Sequence, residues 1–452
     1  MELTGKRVLV VGLGRSGTAA ARLCARRGAR VTVTDQRSEG ALSDAVAALG
    51  GCATLELGGH REASFTGAEL IVLSPGVPPI PELEAARRAG VPVIGEIELA
   101  YRFVRGRVVA ITGTNGKSTT TSLLGAMAEA SGAPTFCGGN LGQPFCEAVD
   151  TPAAGPDGLL VLELSSFQLE TVETFHARVA LLLNLTEDHL DRYATFAEYQ
   201  AAKARIFERQ TATDFAVVNG APDQELCRTL ARASRAQLLT FRLDDGREPG
   251  AWPEEDALCV RLPRGEVERY PRSLLALAGQ HNLQNALAAL LGARLAGVPA
   301  DACTRALETF RGLPHRMQLV GETRGVRYYN DSKATNVGSV IGSLTGFERP
   351  VVLIAGGKDK GGDYAPLVPV LAEVCRHAVL IGAAAPLIER TLAGHLPLHH
   401  AGTLPEAVRL AASLARTGDA VILSPACSSY DMFTNYEERG RVFASAVAAL
   451  PD

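Results

Sequence analysis

The 452-residue chain carries nine cysteines and not one C-x-x-C pair. An odd, scattered set argues against a disulfide framework or a cysteine zinc site and points to a reducing cytoplasm. Excess charge is lacking too. A net charge of −4 gives no electrostatic case for nucleic acid or an anionic membrane as partner. No apolar run reaches the roughly 18 residues that span a bilayer. Met1 to Arg7 leads into a strand-like run without a basic-then-apolar signal segment, so an intracellular protein without membrane insertion is expected. There is no internal repeat and no low-complexity tract. What is present is ordinary for a soluble globular protein, 46% hydrophobic and 21% charged residues. The length implies roughly two to four domains.

The most informative stretch is Gly113 to Thr120, G-T-N-G-K-S-T-T. The β-branched run from Arg107 to Thr112 before it marks a buried strand, and Thr121 to Ala130 after it reads as a helix. Strand, tight glycine loop and helix start make an anion cradle, because loop N–H groups and the positive helix end point at one spot. Gly113, Thr114, Asn115, Gly116 and Thr119 belong to that cradle. Lys117 would meet the β/γ-phosphates of ATP, and the Ser118 hydroxyl could ligate Mg²⁺. The loop is shorter than the standard phosphate loop, whose first glycine would fall at Ile111.

Other chemistry-bearing residues follow strands. Near the start, Arg7 to Gly12 is a strand that leads into G-x-G-x-x-G at Gly12, Gly14 and Gly17. A helix from Thr18 to Arg27 and a strand from Arg30 to Asp35 come next. Asp35 sits where a Rossmann acid meets a ribose, so the motif read literally says NAD. Close packing of helix on strand explains the same glycines. Ser74 ends the strand that begins at Leu70, on the same carboxyl edge. Asn140 lies in a Gly-rich turn, either a plain turn or a contact to the active site. Glu163 ends an apolar strand, where a carboxylate is costly unless it meets a cation or metal. That is the place of a Mg²⁺ ligand in a phosphate-loop protein. His189 follows the strand from Val179 to Asn184 and would share the edge with Glu163 and Lys117. Lys203, flanked by alanines on a helix from Glu198 to Arg209, reads as a surface lysine. Asn282 and Asn285 share one face of a helix that opens after Gly279. Farther on, strands empty polar loops carrying Asp331, Lys333, Thr335, Lys360 and Ser429 onto one edge, which suits an anionic ligand. Cys427 reads as a small buried residue. The whole is expected to be α/β with three domains. Residues 1–96 form a Rossmann-like domain, 97–312 a central phosphate-loop ATPase domain with a mainly parallel sheet, and 313–452 a second Rossmann-like domain.

Together these stretches resemble the Mur ligases of peptidoglycan synthesis. The match is carried by GTNGKSTT at Gly113, GGNLG at Gly138, ELSSFQLE at Glu163 and NLTEDHLDRY at Asn184. It continues with GQHNLQNALAA at Gly279, GLPHR at Gly312, YYNDSKATN at Tyr328 and LSPACSSYDMFTNYEERG at Leu423. It covers essentially the whole chain and is most similar to the members that add D-glutamate. The resemblance implies a cytoplasmic, monomeric ligase that uses ATP to join D-glutamate to UDP-N-acetylmuramoyl-L-alanine through an acyl phosphate. A relative that adds another amino acid, or a folylpolyglutamate-type ligase, is the neighbouring alternative. It further implies two Mg²⁺ sites, with Ser118, Glu163 and His189 as ligands and Lys203 as a CO₂-derived carbamate, which reverses the surface reading of that lysine. Asn282, Asn285, Arg316 and Asp331 would contact ATP. Lys333, Thr335, Lys360, Ser429 and Tyr436 would hold the acyl phosphate and D-glutamate. Gly14, Arg15, Ser16, Gly17, Asp35 and Ser74 would take the UDP part, with Asn140 and Ser165 nearer the muramoyl group. On this implication the glycine motif holds a uridine diphosphate instead of NAD, since both place a diphosphate on a helix N-terminus.

Overall fold

Runs such as Val8–Val11, Leu70–Leu73 and Leu159–Leu162 are apolar at every position and buried on both faces. Such strands belong to parallel sheets covered by helices on both sides. The computed structural model describes residues 1–189, 192–244, 248–277 and 279–451 and contains three sheets of five, nine and six strands. Leu190 and Asp191 of the NLTEDHLDRY run lie outside the described residues.

The first sheet is parallel, in the order Thr54–Leu57, Arg30–Asp35, Arg7–Val11, Leu70–Leu73, Val93–Gly95. In the second, Arg107–Thr112 lies between Leu159–Glu163 and Val179–Leu182, parallel to both, so their carboxyl ends share an edge. Its far side turns antiparallel where Gly250–Pro253 pairs with Ala257–Arg261. The third has one antiparallel pair, Gln318–Thr323 with Val326–Asn330, and is otherwise parallel through Ala420–Leu423, Val351–Gly356, Cys375–Ile381 and Leu398–His400.

The chain divides into two compact units. The first comprises Met1–Leu185, Tyr193–Tyr270 and Leu287–Leu307; the second comprises Thr186–Arg192, Pro271–Ala286 and Glu308–Asp452. Within the first unit one apolar cluster continues from Val8, Val10 and Val72 of the first sheet to Val108, Ala110, Leu160 and Leu162 of the second. Glu98 anchors that continuity. It is fully buried, accepts hydrogen bonds from the N–H groups of Glu173, Thr174 and Phe175 at 2.9–3.0 Å, and pairs with Arg102 at 2.8 Å.

Some element ends differ from the sequence reading. The first helix runs Arg15–Arg26, because the glycine motif itself forms its opening turn. The helix carrying Lys203 runs Phe196–Ala204 and tightens into a 3₁₀ turn over Arg205–Phe207. All nine cysteines are free thiols, and Cys427 is buried as expected.

Candidate functional site

The glycine loop ends the strand Arg107–Thr112 and opens the helix Lys117–Ala130. Asn184, at the end of the neighbouring strand, fixes the loop from outside. Its backbone carbonyl accepts Thr114 N–H at 3.0 Å, its Oδ1 accepts Asn115 N–H at 2.8 Å, and its Nδ2 donates to Asn115 O at 3.1 Å. Lys117 curls over the loop and donates to the carbonyls of Gly113 and Thr114 at 2.9 and 2.8 Å. Lys203 reaches the same Gly113 carbonyl at 2.9 Å, with Thr112 Oγ1 at 3.4 Å. Two lysines thus converge on the cradle. Lys203 is 1% exposed, which overturns its surface reading from the bare sequence. Ser118 and Thr119, at the helix start, are buried.

Glu163 ends its strand 3% exposed. One oxygen accepts Asn140 Nδ2 at 2.7 Å, and Oε2 is buried without a hydrogen-bond partner. An orphaned carboxylate oxygen fits a hard cation, which prefers oxygen ligands. Asn140 also donates its backbone N–H to the Glu163 carbonyl at 2.9 Å. Gly139 makes that approach possible: at φ +96°, a Cβ there would lie 2.5 Å from Glu163 O. Asn140 and Glu163 are therefore one device. Ser165 caps the helical turn Ser166–Leu169, accepting from Gln168 N–H at 3.2 Å.

A cavity of about 710 Å³ opens at the carboxyl edge of the first sheet, lined in part by Gly14, Arg15, Arg37, Ser43, Gln143 and Glu147. Gly17 lets the glycine turn close on itself, since a Cβ there would sit 1.9 Å from Gly12 O. Ser74 Oγ donates to that same Gly12 carbonyl at 2.9 Å. Arg15 donates to the Gly142 carbonyl, and half-buried Ser16 follows it in the first helical turn. Asp35 is engaged inside the fold by Leu13 N–H at 2.7 Å and by Arg37 Nη2 at 2.7 Å. Burial alone would raise its pKa, but the bonds from Arg37 and Leu13 outweigh it and hold the carboxyl at about 2.

In the second unit, Asn282 and Asn285 are buried with their amides 3.4 Å apart, as the i, i+3 spacing predicts. Asp331 accepts the hydroxyls of Ser343 and Ser424 at 2.7 and 2.8 Å. Burial lifts it to about 6, although those hydroxyls and the nearby Arg316 charge oppose the rise. Arg316 itself leaves the Leu313 turn, its N–H donating to the Leu313 carbonyl at 3.3 Å. Lys333 Nζ donates to Tyr436 OH at 2.9 Å, and Lys360 Nζ approaches Thr335 Oγ1 at 3.5 Å. Ser429 is buried in the loop after Ala420–Leu423. His189 adopts a left-handed backbone at φ +56°, with its N–H on Asp188 Oδ1 at 3.0 Å.

Sequence reasoning missed Tyr199. Its hydroxyl meets Thr114 Oγ1 at 3.1 Å and its ring lies 4.8 Å beneath Lys203 Nζ. The signal was available, because Tyr199 and Lys203 are spaced i, i+4 on one helix face. Arg37 and Gln143 gave no comparable cue.

Three family descriptions match the chain: "Mur ligase MurD-like, N-terminal domain" over residues 6–95, "Mur ligase middle domain" over 111–293, and "Mur ligase, glutamate ligase domain" over 315–427. A protein of Anaeromyxobacter dehalogenans, UDP-N-acetylmuramoylalanine--D-glutamate ligase, is 53% identical, covering 98% of this chain and 97% of its own. One of the same name from Geobacter metallireducens is 51% identical over 100% of this chain and 99% of its own. The crystal structure of MurF ligase from Thermotoga maritima in complex with ADP shares the fold. Its TM-score is 0.61 at 17% identity, covering 99% of this chain and 96% of that one.

Proposed function

The chain belongs to the Mur ligase family, and from that premise we propose that it joins D-glutamate to UDP-N-acetylmuramoyl-L-alanine at the expense of ATP, in peptidoglycan precursor synthesis. The observation that carries this reading is identity near one half, sustained over the full length of relatives named for that reaction. The literal NAD reading of the first glycine motif is dropped with it.

A carboxylate is a poor electrophile. Transfer of the γ-phosphoryl group to the alanyl carboxylate gives an acyl phosphate. The D-glutamate amine, having lost a proton, attacks the carbonyl carbon, and the tetrahedral intermediate expels inorganic phosphate. The protein's share is positioning and charge neutralisation. We assign Gly113 to Thr119 to the ATP phosphates, with Lys117 turning from the loop carbonyls to the β/γ-phosphates. The cradle geometry and the loop's fixing by Asn184 support this. Magnesium, when bound, would neutralise phosphate charge. Ser118 and Glu163 Oε2 are the ligands we assign in the first unit, and the orphaned oxygen supports the second of them. His189 is assigned as a metal ligand on the family resemblance. Lys203 is assigned as a carbamate, an acid that can ligate a cation where an ammonium cannot; its burial at the loop supports this.

We assign the cavity beside Gly14 to Gly17 to the uridine diphosphate, with Asp35 and Ser74 holding the loop that lines it and Asn140 and Ser165 toward the muramoyl group. Asn282, Asn285, Arg316 and Asp331 are assigned to ATP. Lys333, Thr335, Lys360, Ser429 and Tyr436 are assigned to the acyl phosphate and D-glutamate. Among the described residues no helix is long and apolar enough to cross a membrane. A monomer working where ATP and nucleotide-linked precursors are found, in the cytoplasm, is the state we propose.

Phosphate release from ATP and Mg²⁺ with UDP-N-acetylmuramoyl-L-alanine tests the reading, offering D-glutamate, L-glutamate and L-alanine in turn. Release with D-glutamate alone is the expected result. Release with another of them moves the substrate, and silence with all three sinks the ligase reading.

A further inference from the structure

Arg439 lies on the helix Tyr436–Ala448 with its side chain 1% exposed. Its guanidinium donates to neutral oxygens of two loops. Nε reaches Ser332 Oγ at 2.9 Å and Nη2 reaches Ser332 O at 2.7 Å. Nη1 reaches Cys427 O at 3.1 Å and Ser428 O at 3.2 Å. A Cβ on Gly357, at the end of the strand Val351–Gly356, would fall 2.3 Å from Ser428 O and 3.2 Å from Arg439 Nη1, so the glycine leaves room for this clamp.

The clamped residues are neighbours of the amino-acid site assigned above. Ser332 precedes Lys333, and Ser428 precedes Ser429. Tyr436, three residues before Arg439, accepts Ser332 Oγ on its carbonyl at 2.8 Å and Lys333 Nζ on its hydroxyl at 2.9 Å. One side chain thus stands behind Lys333, Ser429 and Tyr436 together. Four donated hydrogen bonds hold the two loops in register, and the nearby Asp431 carboxylate favours the charged form that makes them. Burial lowers the guanidinium pKa to about 10, so it stays charged at neutral pH.

We propose that Arg439 is a positioning residue for the amino-acid substrate: it locks the Ser332–Lys333 and Cys427–Ser429 segments into the one register that sets Lys333, Ser429 and Tyr436 for D-glutamate. The proposal deepens the D-glutamate reading and rests on it.

The test is steady-state kinetics of the full chain and of Arg439→Met, Arg439→Lys and Ser332→Ala, varying D-glutamate and ATP separately. Arg439→Met is expected to raise KM for D-glutamate by about tenfold or more, with KM for ATP within about twofold of the parent. Arg439→Lys should recover part of the loss. Ser332→Ala, which keeps Arg439 and removes the hydroxyl's bonds to Arg439 Nε and the Tyr436 carbonyl, should raise KM for D-glutamate about threefold. If Arg439→Met does not fold, the Lys and Ser332 variants read the same parameter. KM for D-glutamate unchanged in the folded variants, or KM for both substrates rising in parallel, would overturn the proposal. A parent enzyme that releases phosphate with an amino acid other than D-glutamate would instead overturn the substrate reading, whatever the variants do.

Discussion

Lys117 and Glu163 could be read from the sequence because each breaks a local rule. One is a lysine in a tight glycine loop, and the other a carboxylate closing an apolar strand. Lys203 could not be read, because its alanine neighbours suit a solvated helix as well as a packed one, and only the fold places it on Gly113. Lys117→Ala is expected to lower turnover by about 10²–10³-fold or more while the circular dichroism spectrum stays unchanged; parent-like activity would refute the phosphate-loop assignment. Lys203→Ala should be nearly inactive and regain partial activity with added acetate, whereas normal activity without a carboxylate would exclude the carbamate. Glu96 offers a test independent of catalysis. It is buried, accepts Cys146 N–H at 2.6 Å, and leaves Oε2 unpartnered. Burial raises its pKa from 4.5 to about 7. The folded state therefore holds this proton more tightly than the unfolded chain, and stability falls as pH climbs through that window, then levels off. Glu96→Gln should match the parent at about pH 5 and exceed it by up to about 3 kcal/mol at about pH 8, read from urea midpoints. Equal stability at both values would show that the carboxyl is not held protonated.

At the scale of the element, the parallel strands were legible because burial on both faces demands continuous apolar runs. The antiparallel pair Gly250–Pro253 and Ala257–Arg261 was not, since it is short and bordered by charged residues. The first helix starts before its apolar pattern does, because Arg15 and Ser16 form a turn that faces outward at the loop. The turn around Gly139 is sensitive to a single methyl group. Gly139→Ala combines a left-handed backbone with a 2.5 Å approach to Glu163 O. It should cost about 2 kcal/mol or more in chemical denaturation and displace the Asn140 bond to Glu163; an unaltered midpoint would mean the strand end yields easily.

At the scale of the whole molecule, the expected boundary near residue 96 falls where the apolar core is continuous. Composition cannot show this, since a strand contributing to a core shared with a second sheet looks like one contributing to its own. Native-state hydrogen exchange should therefore give Arg7–Val11 and Leu159–Glu163 similar opening free energies, and Glu98→Ala should lower both. Markedly weaker protection of the first sheet in the parent protein would separate the two. The buried thiols carry a last consequence. Burial holds Cys24, Cys137, Cys227, Cys303 and Cys375 at about 12, and Cys259 and Cys427 at about 11. Since only the thiolate reacts, a chromogenic alkylating dye added to the native protein keeps time: after the initial labelling of half-buried Cys52, further colour develops as each core opens, and the chain reports its own unfolding without an introduced label.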